Sequence, residues 1–533
     1  METEQNSMQI RKIIGLMAAF TFVMIMIFGV YFSQVSAEKP QPYVEKPMAE
    51  AGAVQPSCRY GVASFRAADN PYIEELNAGW GVDFVVNLGR TWPDGVVYSP
   101  IVRMKQDKDS VTGARLPSYT LSTPPLTDAP GGLGPLIIAN PGLLWLVGNE
   151  VDRYFWQDDI MPDIYADAYY DIYHFIKDRD PTALIAISGL VEVTPGRLQY
   201  LDIVWDSYLE KYNTPIPVDV WNLHVYILPE IKADGSSSSA AVALGTDPAL
   251  AILESGNNPA LCPQDNVYCY AEHDDTSIFK DQIVAMRQWM KDRGLQNKPL
   301  ILSEFSLLYP YDGQTPCFLM DEFGGCFTPT RVQKYMEDTF AILEGETDVN
   351  LGYPHDNYRL VQQWLWFAMN DLSLNTPNAL VDLDPISKLP IQLSTIGMKY
   401  RDEVATSNFE VNLIASMASQ TAVSNVTTAQ ISAEVRNNGD IPAGASFTVS
   451  FYSDAALTTL IDEVVVPANL AGCSVNGQTV SVTWNGLVPD QVNYFWAKVD
   501  GGDVIAESSE ADNVASGLVI VDPEQLFLPL TTR

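Results

Sequence analysis

Between Cys58 and Val404 the chain alternates, eight times over, between a short apolar run and an amphipathic helical stretch. The apolar runs are "CRYGVASF", "GVDFVVNL", "VVYSPIVRM", "LLWLVGNE", "ALIAISGLV", "DVWNLHVYIL", "KPLILSEFSLL" and "RLVQQWLWFAMND". Near-continuous apolar strands are what a parallel sheet covered on both faces demands. Helices such as "MPDIYADAYYDIYHFIKDRD" supply the cover, with Tyr165, Ala168, Tyr169, Ile172 and Phe175 on one stripe. Helix "NPYIEELNAGW" is expected between the first two strands. Eight such units predict an α/β domain of the (β/α)8 TIM-barrel class over residues 58–405. An open doubly wound sheet is the alternative, but no G-x-G-x-x-G follows the first run. After Thr406 the helical period stops. "TTAQISAEVRNNG", "SFTVSFYSD", "TLIDEVVVP", "TVSVTWNGL" and "VNYFWAKVD" alternate with period two between Asn/Gly/Asp turns. They predict an all-β, immunoglobulin-like sandwich over 406–522, followed by a tail, 523–533.

The formal charge of −35 opposes a phosphate backbone, so nucleic acid is excluded as a partner class. Four histidines and no CxxC or HExxH give no zinc signature, and the reading calls for no metal and no organic cofactor. Arg11-Lys12 precede an apolar run, Ile13 to Phe32, followed by "SQVSA". Residues 1–37 therefore read as a cleaved signal peptide or as an N-terminal membrane anchor through residues 13–32. Either places the bulk of the chain outside the cytoplasm, secreted or held at the outer face of the cytoplasmic membrane. Residues 38–57 are a Pro-rich linker. Six cysteines in an exported chain suggest disulfides. Cys262 with Cys269 and Cys317 with Cys326 are the simplest local pairs. Cys58 and Cys473, in different domains, are left unpaired, and the competing reading has all six as free buried thiols.

In a parallel barrel, reactive groups sit where strands end. Two of the runs end in a carboxylate: "WLVGNE" at Glu150 on the fourth strand and "LILSE" at Glu304 on the seventh. Period-two alternation puts Glu150 on one face with Leu146 and Gly148, and Glu304 on one face with Leu300 and Leu302. A lone strand-end Glu is most simply a salt-bridge partner. Two facing one mouth are what glycosidic cleavage needs, one acid to protonate the leaving oxygen and one carboxylate to attack the anomeric carbon.

On these residues, positions 58–405 resemble the clan A glycoside hydrolases, retaining β-glycosidases on (β/α)8 barrels. That clan carries Asn-Glu at the end of strand four and a nucleophilic Glu at the end of strand seven. The resemblance makes Glu150 the acid/base, Glu304 the nucleophile, and Asn149 a contact to the sugar 2-hydroxyl. It makes His224 and Tyr226, from "HVY" on strand six, site residues, with Tyr226 holding Glu304 ionised. It offers Trp366, at the end of strand eight, as a sugar platform. Arg90 is the candidate to orient the nucleophile, with Arg66 as its rival. Trp92, Trp156 and Tyr309 also follow predicted strands and could line a cleft. The acid/base role requires Glu150 to be protonated at rest and Glu304 to be ionised.

The C-terminal sandwich resembles the CARDB module through "VRNNGDIPAGASFTVSFYSD", "VSVTWNGL" and "VDGGDVIAESSEADN". The acidic run Glu507, Glu510 and Asp512 lacks the spacing of a calcium loop and reads as a solvated turn. Together these features imply an exported retaining glycoside hydrolase. It would cleave β-linked poly- or oligosaccharide by a two-Glu double displacement. The rivals are a non-catalytic carbohydrate-binding or cell-surface adhesion protein on a glycosidase-like barrel, and a barrel lyase or aldolase. A strand-end Lys, which an aldolase would use, is missing from the runs.

Overall fold

A computed structural model describes residues 55–521 apart from 123, 156, 257–258, 262–263, 265, 270–271, 309–318, 320, 371–377, 408, 418–420, 424–426 and 476. The expected signal or anchor segment 1–37 lies outside the described residues, as do Trp156, Tyr309 and the tail. Among the described residues no helix is long and apolar enough to cross a membrane.

The parallel strands are Ser57–Ala63, Ala78–Val82, a third broken into Val97–Tyr98 and Ile101–Val102, Leu144–Asn149, Leu184–Gly189, Trp221–Val225, Leu300–Phe305 and Gln363–Trp366. Counting them first to eighth, one ladder runs third–second–first–eighth–seventh–sixth and another runs third–fourth–fifth. The third strand belongs to both ladders through the Ser99-Pro100 break, because Pro100 has no N–H to donate. Fifth and sixth are joined by the lone parallel bridge Ala186↔Val220. Helices Asn70–Leu76, Leu133–Ala139, Pro162–Lys177, Pro195–Tyr212, Thr276–Asp292, Pro329–Gly345 and Thr395–Thr406 intervene. Several start where the sequence supplies a cap. The side chains of Thr194, Asp275, Thr328 and Ser394 accept backbone N–H groups of the first turns that have no helical partner. The first helix is shorter than expected. It stops at Leu76, Asn77 takes the left-handed conformation at φ 61°, and the second strand begins at Ala78 rather than Gly81.

Two apolar clusters share the strands. One draws on Ala63, Trp80, Val82, Ile101, Leu146, Ala186, Val220, Ile301 and Leu365, alternate strand residues with no helical member. The other joins Val62, Trp145, Val147, Ile185, Leu223, Leu302, Trp364 and Trp366 to the buried faces of the helices. These are the inner and outer faces of the strand layer. The tyrosine stripe is on the outer side, where Tyr165 Oη donates to Val147 O at 2.7 Å and Tyr169 Oη donates to Pro217 O at 3.0 Å. A hairpin absent from the sequence reading, Met104–Lys108 with Arg115–Leu121, rises from the end of the third strand.

From Leu413 onward two sheets face each other, one of three strands and one of five. Val435, Phe447, Val449, Phe451, Phe495 and Val519 fill the space between them, as the alternating pattern requires. The acidic run is used within this domain. Glu507 accepts from Leu413 N, Asn513 Nδ2 donates to Glu507 and Glu510, and Asp512 accepts from Asn412 Nδ2.

The expectation that Cys58 and Cys473 stay unpaired is corrected: they form a disulfide. Sequence distance hid the contact, because the sandwich packs beside the start of the first strand. Arg59 lies next to the bond and is fully buried. It grips Asp356 with two hydrogen bonds of 3.0 Å, donates to Asn438 O at 2.8 Å, and pairs with Asp440. Cys269 and Cys326 are also disulfide-bonded. The local pairs expected for them involve Cys262 and Cys317, outside the described residues.

Candidate active site

Glu150, His224 and Glu304 converge at the ends of the fourth, sixth and seventh strands, with one donor atom of each within 4.8 Å of the others. Glu150 falls on the face of the inner residues Leu144 and Leu146, although Gly148 and Glu150 themselves take left-handed φ of 95° and 45°. Glu304 does not follow alternation. Ile301 packs inward, whereas Leu300, Leu302 and Phe305 pack against helices. Strict alternation would turn Glu304 outward as well. A β-bulge intervenes: Leu302 pairs with Leu223, but Glu304 pairs with His224, leaving Ser303 as the extra residue. The eighth strand feels the same insertion, with Leu302 opposite Trp364 and Phe305 opposite Trp366. Such bulges re-aim side chains beside reactive sites. The face assigned to Glu304 with Leu300 and Leu302 is thus corrected.

Both carboxylates are buried, at 2% and 7% exposure for Glu150 and Glu304, so each needs partners. Tyr226 Oη donates to Glu304 Oε1 at 2.6 Å. His224 Nδ1 lies 3.4 Å from Glu150 Oε1 and 3.7 Å from Glu304 Oε2. Its ring rests on Gly189, where a Cβ would come within 2.3 Å of Cδ2. Arg153, which the sequence reading missed, turns back to bind Glu150 Oε2 at 2.9 Å. Its Nε donates to Ser239 O at 3.0 Å, so the Ser/Ala/Gly-rich excursion after strand six does reach the site. That excursion is fastened by Arg197, fully buried, which pairs with Asp152 and Glu230 and donates to Ala240 O and Ala241 O.

The charges order the two acids. Burial pushes Glu304 up to about 7, aided by the negative Glu150 and opposed by His224 and Tyr226. Burial acts on Glu150 too, but the His224 hydrogen bond and the Arg153 charge outweigh it and bring Glu150 down to about 2. This reverses the expected resting order of a protonated Glu150 and an ionised Glu304. The reasons are the burial of Glu304 and, at Glu150, the His224 hydrogen bond followed by the charge of Arg153, whose return onto Glu150 depends on a turn that alternation does not reveal.

Other expected residues fall elsewhere. Asn149 is buried beside the pair, its N–H bonded to Asp158 Oδ2 at 2.9 Å and its Nδ2 3.4 Å from Gln157 Oε1. Trp366 does not face the mouth. It is fully buried in the outer layer against Phe305, Phe340 and Tyr335, and its Nε1 donates to Asn378 O. The inward residues of that strand are Leu365 and, past its end, Phe367. Phe367 meets Phe65 and Phe84 at ring separations of 6.3 and 5.8 Å, an aromatic group at the ends of the eighth, first and second strands. Arg90 binds Ser64, the carbonyl of Arg66 and Asn70, and lies 3.9 Å over Trp92, so it orders the turn after strand one rather than Glu304. Arg66, the rival, pairs with Asp69. Trp92 stacks on Tyr98 and covers Gly81 on the outer face of the second strand, away from the mouth.

The CARDB family model matches residues 407–517. No curated protein is similar enough to this chain to count as a match. Among solved structures, the CARDB domain of a Pyrococcus furiosus protein, described in complex with di-metal ions, is 20% identical. It covers 22% of this chain and 97% of its own, with a TM-score of 0.19. A glucosidase from Croceicoccus marinus is 8% identical, covers 81% of this chain and 94% of its own, and has a TM-score of 0.38. An endo-laminarinase from Formosa is 11% identical, covers 54% of this chain and 75% of its own, and has a TM-score of 0.34. The C-terminal sandwich is a CARDB domain.

Proposed function

We propose that the two ladders make one closed (β/α)8 barrel, and that the chain is an exported retaining glycoside hydrolase acting on β-linked poly- or oligosaccharide. The observation that carries the reading is the pair itself. A carboxylate oxygen of Glu150 and one of Glu304 lie within 4.8 Å of each other, buried, at the ends of strands that finish at the same pole. That closeness suits the covalent glycosyl intermediate, for which the carboxyl groups stand about 5–5.5 Å apart, better than the wider separation that inversion uses. Glu304 attacks the anomeric carbon and Glu150 protonates the departing oxygen. Glu150 then takes a proton from the water that releases the sugar. Tyr226 steadies the Glu304 charge between these steps. The disulfide at Cys58–Cys473 supports an oxidising, extracellular setting. The sandwich would then act outside the cell beside the barrel.

A second reading exchanges the two roles, and the Arg153–Glu150 ion pair favours it. One experiment decides between them. A 2-fluoro-glycoside with an activated leaving group should form a stable ester on Glu304, located by peptide mass. An ester on Glu150 would exchange the roles, and no ester with any β-glycoside that the chain hydrolyses would sink double displacement. Glu304→Gln should lower turnover by at least about a thousandfold while leaving saccharide binding intact.

A further inference from the structure

Each acid of the site gives one oxygen to a protein donor and turns the other toward a common point. Glu150 Oε2 is held by Arg153 at 2.9 Å, and Glu304 Oε1 by Tyr226 Oη at 2.6 Å. Both donors are themselves fixed. Arg153 Nε donates to Ser239 O, and the backbone carbonyl of Tyr226 accepts from Gln282 Nε2 at 2.7 Å. The remaining oxygens, Glu150 Oε1 and Glu304 Oε2, face His224 Nδ1 at 3.4 and 3.7 Å. The opposite edge of that ring, Cδ2 and Nε2, lies against Gly189, which keeps Nδ1 turned to the acids. All three side chains are buried, and a donor atom of each lies within 4.8 Å of the others. Among the described residues, none of these three inner atoms makes a shorter hydrogen bond. Gaps of this length are long for hydrogen bonds. They match a metal polyhedron instead. Four-coordinate zinc holds nitrogen and oxygen ligands at about 2.0–2.2 Å, which sets the ligand atoms about 3.3–3.6 Å apart.

We propose that Glu150 Oε1, His224 Nδ1 and Glu304 Oε2 form a three-ligand site for Zn2+, and that the bound ion blocks turnover. The site stands on its geometry. The blockage rests on the glycosidase reading above, because an ion held by both carboxylates takes the place of the anomeric carbon and leaves neither acid free to act. An imidazole ligand selects zinc, cobalt or copper over calcium and magnesium, which take oxygen ligands. The donors behind the two carboxylates do what the surroundings of a metal site do, fixing each ligand's orientation through its other atom. Charge agrees. With both acids ionised, two carboxylates against Arg153 leave one net negative charge in the pocket, within a chain of formal charge −35. No zinc motif shows in the sequence because the three ligands come from three separate strand ends.

The test titrates ZnCl2 into the full chain, stripped beforehand with a chelator, and follows heat. One ion should bind with a Kd of about 1 µM or below. His224→Ala and the isosteric Glu304→Gln should each weaken that binding by about a hundredfold or more, with circular dichroism unchanged. CoCl2 in place of ZnCl2 should give the visible absorption of a four-coordinate ion, which reads the site without any variant. On a β-glycoside that the chain hydrolyses, micromolar Zn2+ should raise KM and leave kcat unchanged, EDTA should reverse the effect, and millimolar Mg2+ or Ca2+ should have none. Zinc binding that is absent, or that both variants retain in full on the acidic surface, would overturn the site and leave the glycosidase reading in place. Binding at these ligands without inhibition would overturn the blockage. Turnover that is lost with EDTA and restored by Zn2+ would also overturn it, and with it the metal-free double displacement, while the site itself would stand.

Discussion

At the scale of single residues, Glu150 and Glu304 share one proton. With one acid at about 2 and the other at about 7, the singly protonated pair spans the range between, with the proton on Glu304. Under the proposed roles the proton must reach Glu150 before the bond breaks, against the hold of Arg153. The active protonation state is lost as pH rises through about 7, and kcat/KM should fall along that limb of a pH–rate profile. Arg153→Met removes the ion pair that favours ionised Glu150. It should raise the Glu150 pKa and move the resting proton toward it, changing the shape of that profile; an unchanged profile would show that Arg153 has no part in it. The same shift bears on folding. The folded pKa of Glu304 lies above its ordinary value of 4.5, so its contribution to stability is present below that value and is lost as pH rises toward about 7. Glu304→Gln should therefore gain Tm relative to the unaltered chain as pH is raised from 5 to about 8, measured by calorimetry. Both carboxylates and Tyr226 were legible as residue types at strand ends. Arg153 was not, since no periodicity foretells a side chain folding back onto the residue three positions before it.

At the scale of elements, strand existence was written in the apolar runs, and most of the helices follow from stripe and cap. What escaped was local phase. The Ser303 bulge turns Glu304 inward against simple alternation, and the face of the eighth strand opposite to the expected one carries Trp364 and Trp366. An inserted residue leaves no mark on composition, so a count by twos goes astray beyond it. The second strand was misplaced because Asn77 ends its helix early, in a conformation that Asn tolerates. Close approach between neighbouring strands also constrains the site. The His224 ring occupies the place of a side chain on Gly189. Gly189→Ala should push the imidazole away from both carboxylates and reduce kcat by about tenfold or more, with circular dichroism unchanged. Full activity in that variant would show that the ring position is immaterial.

At the scale of the whole molecule, the α/β domain and the sandwich are joined by more than a linker. The disulfide joins residues 415 positions apart and Arg59 reaches Asp440 381 positions away, which no local reading of the sequence connects. Arg59 is buried with two acidic partners, so Arg59→Met would take the cation from Asp440 and, among the described residues, leave Asp356 paired with Arg359 alone. The expected cost is about 3–5 kcal/mol, read from denaturant unfolding. Cys58→Ser should lower stability by about 2–4 kcal/mol, and reductant should cost the unaltered chain more than the variant, which keeps only the disulfides at Cys269 and Cys326.

Parallel strands have a starting pole and a finishing pole. Cys58 and Arg59, with the sandwich against them, mark the first; Glu150 and Glu304 mark the second. A hold on the sandwich, at the starting pole, would thus leave Glu150 and Glu304 facing away from it.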